Sequence, residues 1–477
     1  MNNADAPFGR ARFAEPAEIK RAGMFRQKPD SLFLGFDGDC PIWYDGMGGL
    51  VMIAGARSGK LRDVLAFNIC SGVHAGSMLI LDVKGELAAI SHDQTADRKF
   101  AGYWNPEGHH GLPQDRINPV DHIHADSQHM PGDIKKRAVL LIEKTGSPQG
   151  VYFEGRAREF LEAICKAIVA RDRVLTLPAI YRAVKGIPAC SNEWLELEFE
   201  MSESQDEEIK GVQREIDEGR KNDSGGFQGI MGELQKSVAC LSDPVIRESV
   251  SPPYTMSIAD LMNKTQTWQL YLVPPAGSLG VCAPIIKCIF WGGRTYKSRN
   301  PAAPRQTWII EEAAQLGAFP ALVDLFSISA GEGIRPWAIF QSTKQMNALG
   351  PDAENIILSS AAVRQFFGVR DLETATTLSK MLGEQTLRYE DEMRTEKARY
   401  AREQAFRQLI DGGDPLDTHQ RIVHARREAS TDALRARSLM TPDEILNMPE
   451  EAQILFVSGL DLRPIYGERA AYFSRRR

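Results

Sequence analysis

One stretch decides the fold, and it reads Leu50-Val51-Met52-Ile53-Ala54-Gly55-Ala56-Arg57-Ser58-Gly59-Lys60-Leu61. A phosphate-binding loop follows a buried strand, curls its backbone amides around phosphate oxygens, and places a glycine directly before a lysine. Gly59 and Lys60 meet this requirement. Ala54, however, stands where a first glycine is usual, and Leu61 stands where a Mg²⁺-binding hydroxyl is usual. The stretch therefore predicts a nucleotide site with a degenerate Walker A loop.

Further apolar runs predict the strands of a buried parallel sheet, because each run is apolar on both faces. They are Met78–Leu81, Trp268–Val273, Thr307–Ile310, Trp337–Phe340 and Ala452–Val457. Polar residues follow three of these runs directly, namely Asp82 and Lys84, Glu311 and Glu312, and Gln341. Since ligands bind beyond the carboxyl ends of parallel strands, these residues and the loop predict one shared site.

The acid pair Glu311-Glu312 has the pattern of a Walker B segment, in which the first acid holds Mg²⁺ and the second polarises the attacking water. Glu311 is one methylene longer than the usual aspartate, so this motif is degenerate too. Each polar ending also has a plainer interpretation. Glu311 and Glu312 could stand at the N-terminus of a helix, where acids are favourable. Asp82 and Lys84 could form a surface ion pair. Gln341 could be a buried amide whose hydrogen bonds are satisfied in the core.

Composition limits the class of protein. The chain has 477 residues, 43% hydrophobic and 25% charged, as expected for a globular protein of two or three domains. A net charge of −6 argues against a protein that coats nucleic acid with its whole surface, but leaves room for a local basic channel. The seven cysteines form no C-x-x-C pair, which predicts reduced thiols and a cytosolic setting. No apolar run approaches the ~20 residues that span a bilayer.

The pattern changes between about residues 151 and 244. Apolar residues there recur at helical spacing, as at Phe153, Ala157, Phe160, Leu161 and Ile164. We therefore predict an all-helical domain at 151–244, inserted into an α/β domain formed by 1–150 and 245–477. A strongly charged stretch at 388–437 is interpreted either as a solvated arm or as an insertion that contacts a partner or DNA.

The ordered series of motifs resembles the coupling proteins of type IV secretion and conjugation, the TraG/TrwB-like family. The similarity covers nearly the whole chain in the right order. Besides the loop, it rests on Gly9–Ala14, Asp82–Leu87, Asn118-Pro119, Glu311–Gly317, Phe340–Gln345, Asp371–Ser379 and Leu439–Ile445.

This resemblance implies a RecA-like P-loop nucleotide-binding domain with an inserted all-α domain. It implies an ATPase that uses ATP and Mg²⁺ and forms a homo-hexamer on the cytoplasmic face of the bacterial inner membrane. Its partners would be channel components, a relaxase or effector protein, and non-specifically bound DNA. The implied cofactor-binding residues are Gly55, Ala56, Arg57, Ser58, Gly59, Lys60, Leu61, Asp82 and Lys84. Glu311 would hold Mg²⁺, and the catalytic residues would be Glu312, which activates water, and Gln341, which senses the phosphate.

Several features depart from the family pattern. The membrane-spanning helices of the family are missing from this sequence, so we expect either a shortened chain or a soluble variant whose membrane anchor lies elsewhere. Ala56, Leu61 and Glu311 replace more usual residues, and Glu332 lies where a basic residue is expected. Together they predict weakened hydrolysis. Two alternatives therefore stay open: a recruitment scaffold that binds nucleotide poorly or not at all, and a DNA pump of the FtsK/HerA kind.

Overall fold

The structure is a computed structural model that describes residues 9–70, 76–95, 100–143, 148–222, 225–389 and 433–474, with isolated positions between 390 and 432. The chain forms two compact units. The larger unit comprises the described parts of 16–368, 450–462 and 466–477, and the smaller unit comprises the described parts of 1–15, 369–449 and 463–465. Every residue of the predicted site lies in the larger unit.

Thirteen strands occur in the described part of the chain. Their bounds are β1 Leu32–Asp37, β2 Cys40–Tyr44, β3 Leu50–Ala54, β4 Ser77–Leu81, β5 Phe100–Trp104, β6 Trp268–Leu272, β7 Gln306–Ile310, β8 Ile334–Phe340, β9 Val363–Phe367, β10 Glu384–Tyr389, β11 Ala433–Ser438, β12 Ala452–Val457 and β13 Ile465–Glu468. Eleven form one sheet in the order β2-β1-β13-β12-β9-β3-β8-β7-β4-β6-β5, while β10 and β11 pair with each other.

The seven strands from β9 to β5 run parallel. β3 lies among them, with Ile53 opposite Phe340 of β8 on one side and opposite Phe366 of β9 on the other. All five residues of β3 are buried, so the apolar pattern of this run is what the centre of a covered sheet requires. The carboxyl ends of β3, β4, β7 and β8 therefore meet at one edge.

The edge of the sheet beyond β9 is antiparallel. The predicted strand Ala452–Val457 is present as β12, but it runs antiparallel to β9, with Ile454 opposite Phe366, so the predicted parallel direction is wrong for it. An apolar run reports burial on both faces and carries no information on strand direction. As a consequence, the start of β12 lies at the same edge as the carboxyl end of β9.

The described α-helices are α1 Pro16–Arg21, α2 Ala66–Cys70, α3 Glu86–Thr95, α4 Met130–Leu141, α5 Pro148–Asp172, α6 Leu177–Ala189, α7 Asn192–Ser202, α8 Glu207–Asn222, α9 Gly225–Ser237, α10 Pro244–Ser249, α11 Leu279–Arg299, α12 Pro320–Glu332, α13 Ala353–Ser360, α14 Leu372–Leu382 and α15 Pro442–Leu446. Among the described residues, no helix is both long enough and apolar enough to cross a bilayer.

Helices α5 to α10 follow one another without an intervening strand in the described residues of 148–249. Local sequence signals start two of them. Thr176 caps α6 and Ser191 caps α7, each accepting a hydrogen bond from the backbone N–H three residues further on. The fully buried Trp194 then anchors α7. The assignment of 151–244 as a separate domain stays a prediction.

The smaller unit contains the β10–β11 pair, α14 and α15. Asp371 caps α14, and Thr441 caps α15 with a reciprocal bond to Glu444. Ser379 of α14 donates a hydrogen bond to the Met440 carbonyl at 2.6 Å. The charged arm predicted at 388–437 lies largely outside the described residues. Its two ends belong to β10 and β11, which pair antiparallel.

Candidate nucleotide-binding site

The loop after β3 has the backbone of a phosphate cradle. Gly59 adopts φ +82°, and a Cβ at this position would lie 2.2 Å from Asp63 Oδ2, so the loop requires glycine here. Arg57 also takes a left-handed conformation, with φ +58°, which is uncommon for a residue with a side chain. Alternation of such conformations turns successive N–H groups toward one side and forms an anion-binding concavity.

The helix after the loop begins with a π-helical turn at Leu61–Leu65 and continues as α2. Such wide turns are rare and occur often at functional sites. Asp63, in this turn, donates its backbone N–H to the Gly59 carbonyl at 2.8 Å, while its carboxylate is buried. The turn therefore places the Asp63 carboxylate in the protein interior, next to the phosphate loop.

Arg469, which follows β13, binds the phosphate loop through hydrogen bonds. Its side chain is fully buried, and its Nη1 donates to the Ser58 carbonyl at 2.7 Å and to Asp63 Oδ2 at 3.0 Å. The guanidinium carbon lies 3.8 Å from the centroid of the Phe367 ring. The Arg469–Asp63 pair thus fixes one peptide of the loop. Sequence reasoning missed it, because 406 positions separate the two residues and no motif marks either one.

Lys60, Glu312 and Gln341 come from three different strand ends and meet at the carboxyl edge. Lys60 Nζ donates to Glu312 Oε1 at 2.6 Å. Gln341 Nε2 donates to both carboxylate oxygens of Glu312, at 3.2 and 3.0 Å. Glu312 has φ +49°, an uncommon conformation of the kind that clusters at functional sites. The predicted lysine, second acid and glutamine therefore form one hydrogen-bonded set.

Glu311 and Asp82 are buried acids at the same edge. Burial, with the neighbouring Asp82 and Glu312, raises the pKa of Glu311 to about 8 against the opposing charge of Lys60, 4.0 Å away. Burial likewise raises the pKa of Asp82 to about 6, against backbone N–H donors such as that of Ala88 at 2.8 Å. Asp82 Oδ1 is buried without a hydrogen-bond partner. A second cation here would stabilise both charged acids.

These residues fit a nucleotide with Mg²⁺. No group of three potential ligands for a metal occurs in the part of the chain that the structure describes. Mg²⁺ typically takes only one or two carboxylates and completes its shell with water and substrate phosphates, so Glu311 with the orphaned Asp82 oxygen suffices. The loop and Lys60 would supply the hydrogen-bond donors for the phosphates.

Other residues lie apart from this set. The Lys84 side chain is exposed, and its carbonyl accepts a hydrogen bond from His110 Nε2 at 2.9 Å. Ala56 and Arg57 are exposed on the loop, while Ser58 is buried. Glu332, at the end of α12, accepts two hydrogen bonds from the Arg294 guanidinium in a bidentate arrangement, both at 2.9 Å.

A sequence model of the type IV secretory system conjugative DNA transfer family matches residues 8–477. The chain belongs to this family. Within the conjugative DNA transfer family it is similar to the conjugal transfer protein TraG of Escherichia coli, at 23% identity over 98% of this chain and 76% of TraG. It is also similar to protein VirD4 of Rhizobium radiobacter, at 22% identity over 98% of this chain and 64% of VirD4.

Solved structures of the plasmid coupling protein TrwB share the fold. TrwB in complex with the non-hydrolysable GTP analogue GDPNP matches with a TM-score of 0.62 at 16% identity, covering 97% of this chain and 94% of TrwB. TrwB in complex with ADP and Mg²⁺ matches with a TM-score of 0.60 at the same identity and coverage. The predicted fold class, a RecA-like P-loop domain with an inserted all-α domain, is confirmed.

Proposed function

We propose that this member of the conjugative DNA transfer family is the coupling ATPase of a type IV secretion or conjugation system. The meeting of Lys60, Glu312 and Gln341 at one hydrogen-bonded point carries the proposal. The complexes of TrwB with nucleotide analogues, and with ADP and Mg²⁺, support the choice of ligand.

Each residue has a role that follows from its position. Bound Mg²⁺ would supply neutralisation of the charge that develops during phosphoryl transfer. Glu311 and the buried Asp82 would hold this ion, and Lys60 would leave Glu312 to bind the β/γ-phosphate oxygens. Glu312 would accept a proton from the attacking water. Gln341 fixes the Glu312 carboxylate through two hydrogen bonds and connects it to the end of β8.

The proposed substrate is DNA, a relaxase or an effector protein, delivered to the channel components of the secretion system. The family and the names of its TraG and VirD4 relatives support this class of substrate. The proposed setting is the cytoplasmic face of the inner membrane, and the proposed assembly is a homo-hexamer. With a net charge of −6, contact with DNA would be non-specific and confined to a local surface.

A second candidate is a recruitment scaffold of the same system that turns over ATP slowly or not at all. Leu61 offers no hydroxyl to Mg²⁺, and Lys60 is engaged by Glu312. Both features weaken the argument for hydrolysis without weakening the argument for a phosphate cradle. The two candidates therefore differ in turnover and agree on the family and the substrate class.

Equilibrium binding of ATP with Mg²⁺, followed by turnover, tests the proposal. The parent protein is expected to bind and hydrolyse ATP, Lys60→Ala to lose binding, and Glu312→Gln to bind but not hydrolyse. A Lys60→Ala protein that binds ATP as tightly as the parent contradicts the site. Binding without turnover in the parent favours the scaffold.

A further inference from the structure

A cleft of about 430 Å³ lies in the larger unit, away from the phosphate loop. The segment before α4 and the last turn of α11 form it, and its lining includes His122, His124, Ser127, His129, Tyr296 and Arg299. Helix α11 leaves the carboxyl end of β6 and returns to the start of β7, so its last turn lies at the opposite edge of the sheet from the loop. With 21 residues, α11 is about 30 Å long, which separates the cleft from the nucleotide site.

Arg137, in α4, is a buried cation in contact with the lining of this cleft. Its Nη1 donates to the Cys288 carbonyl at 3.4 Å, and its Nη2 donates to His122 Nε2 at 3.2 Å. Both acceptors are neutral, and no ion pair joins Arg137 to a carboxylate in the part of the chain that the structure describes. Since buried charges are usually paired, the charge of Arg137 favours an anion on the far side of His122.

His122 is a buried ring with one unpartnered nitrogen. A guanidinium can only donate, so Nε2 of His122 accepts and the ring proton lies on Nδ1. Burial, followed by the charges of Arg137 and Arg299, holds the pKa of His122 well below its usual value, so the ring is neutral at pH 7. Nδ1 is buried and has no hydrogen-bond partner among the described residues. A buried N–H donor of this kind requires an acceptor.

The unpartnered nitrogen faces the same stripe of α11 that lines the cleft. A Cβ at Gly292 would lie 3.5 Å from His122 Nδ1. Gly292 lies one helical turn before Tyr296 and two turns before Arg299, so the three residues share one face of the helix. The glycine leaves a small gap beside Nδ1, and one bridging water would connect Nδ1 to a ligand in the cleft.

The acids around the cleft already have partners. Asp126 pairs with Arg173 and Asp133 pairs with Arg299, each at 2.5 Å, and Asp121 accepts hydrogen bonds from two hydroxyl groups, at 2.5 and 3.0 Å. Asp133 takes only Nη2 of Arg299, whose side chain is 29% exposed. The other N–H groups of this guanidinium are therefore available to a ligand.

These donors suit a phosphate group, because a planar guanidinium matches the spacing of phosphate oxygens. A volume of about 430 Å³ is far larger than one ion needs and falls within the range of sites for small molecules. A polyanion such as DNA needs a row of cations, whereas Arg299 is the single arginine of this lining and the exposed Asp126 lies beside it. The cleft therefore favours a small phosphorylated molecule.

We infer that this cleft binds the phosphate group of a small phosphorylated molecule. Arg299 donates to the phosphate oxygens, and the Nδ1–H group of His122 donates to them directly or through one water. The negative charge of the ligand balances the buried charge of Arg137. The inference does not depend on the proposed ATPase, since the two sites lie at opposite edges of the sheet.

Calorimetric titration with sn-glycerol 3-phosphate, inorganic phosphate and single-stranded DNA tests the inference. All titrations use the Lys60→Ala background, which removes the phosphate loop as a competing site. One molecule of glycerol 3-phosphate should bind per chain, inorganic phosphate should compete with it, and single-stranded DNA should not.

Two further substitutions in that background locate the binding. Arg299→Lys keeps a charge opposite Asp133 but loses the planar fork, and His122→Gln can still accept from Arg137 but loses the Nδ1–H group. Each should weaken glycerol 3-phosphate binding about tenfold, which corresponds to one hydrogen bond to a charged group. Arg156→Lys is the matched control, because Arg156 is 27% exposed and also paired with acids, and it should bind like the background protein.

Three results would overturn the inference. The first is a Lys60→Ala protein that binds neither glycerol 3-phosphate nor inorganic phosphate. The second is an affinity that Arg299→Lys and His122→Gln leave unchanged, or that Arg156→Lys lowers equally. The third is binding of single-stranded DNA alone, weakened by Arg299→Lys, which would assign the cleft to nucleic acid. Arg299 is partly exposed, so its variant decides the test even if His122→Gln does not fold. None of these results bears on ATP binding by the parent protein.

Discussion

Lys60 Nζ lies 2.6 Å from Glu312 Oε1, so the lysine proposed to bind phosphate is paired with the acid proposed to activate water. Both side chains are largely buried, at 19% and 16% exposure, and Gln341 donates to the same carboxylate. The ion pair competes with an arriving phosphate for Lys60. We therefore expect that nucleotide binding breaks the ion pair and so releases Glu312 from Lys60.

Replacing Glu312 with glutamine should separate binding from hydrolysis. The amide keeps the size of the side chain but removes the charge that holds Lys60, so ATP affinity should equal or exceed that of the parent. Turnover should fall by about 10²–10⁴, the usual contribution of a general base. Equilibrium binding and single-turnover hydrolysis measure the two effects. A tenfold loss of ATP affinity in Glu312→Gln would contradict the competition.

Arg469→Met should destabilise the fold and weaken nucleotide binding together. The change removes the buried partner of the Asp63 carboxylate and leaves it only the half-exposed Arg62, and breaking a buried pair costs up to about 3–5 kcal/mol. Urea unfolding and ATP binding at a temperature well below the transition measure the two effects. Arg173→Met, in an exposed pair with Asp126, is the control and should change neither.

The double variant D63N/R469M tests why Arg469→Met should lose both stability and ATP affinity. It leaves no unpaired buried charge, so it should recover part of the stability lost in Arg469→Met. It should not recover ATP affinity, because the Ser58 carbonyl still lacks its donor. Full recovery of ATP affinity in the double variant would show that Arg469 acts on charge balance and not on the position of the loop.

Gly59→Ala should abolish phosphate binding through both backbone strain and a clash. The added Cβ would meet Asp63 Oδ2 at 2.2 Å, and the residue has φ +82°. Gly38, in the turn between β1 and β2, is the control, because it has φ +57° but no atom within 4 Å of the added Cβ. Gly38→Ala should cost only about 1–2 kcal/mol of strain in urea unfolding and leave tripolyphosphate binding unchanged. Equal binding in both alanine variants would exclude the cradle.

The stability of the Mg²⁺-free protein should fall as pH rises from 5 to 8. Burial raises the pKa of Glu311 to about 8 from an ordinary 4.5, so the folded state holds a proton that the unfolded state releases. The resulting stabilisation is complete below pH 4.5 and is lost as pH rises toward 8, by up to about 1.4 kcal/mol per pH unit. Asp82, whose pKa is raised to about 6, adds an effect of the same sign.

Urea unfolding in EDTA across this pH range measures the dependence. Glu311→Gln cannot release a proton, so its free energy of unfolding should depend less on pH than that of the parent. Glu196→Gln, on the exposed face of α7, is the control and should keep the slope of the parent. A Glu311→Gln protein with an unchanged slope would show that Glu311 is not the group that titrates.

The sequence predicts the centre of this fold well, because each buried strand is apolar on both faces and ends in a polar residue. A strand that it misses, β9, carries a polar residue inward. β9 contains the buried Gln365, which donates to Gln453 Oε1 at 2.6 Å, and a pattern of apolar residues does not reveal such a pair. The direction of β12 and the contact between Arg469 and Asp63 depend on long-range pairing, which no local spacing reports.

The site was predictable where a motif fixes the residue type. Lys60, Glu312 and Gln341 each follow a recognisable strand, and the structure places them in contact. Lys84 shares the motif of Asp82, but it lies in the turn beyond the end of β4, where it is exposed, and only Asp82 is buried. The contact of Arg469 with Ser58 and Asp63 arises because the segment after β13 folds back against the loop, which the loop sequence alone does not show.

ATP turnover with and without single-stranded DNA, measured on the parent protein with Mg²⁺ alongside its mass in solution, tests the central claim most directly. We predict turnover that requires Mg²⁺, rises when DNA is added, accompanies a hexameric mass, and disappears in Lys60→Ala and Glu312→Gln. Turnover that is absent under all these conditions, or that persists unchanged in Lys60→Ala, would contradict the account of this protein as a coupling ATPase.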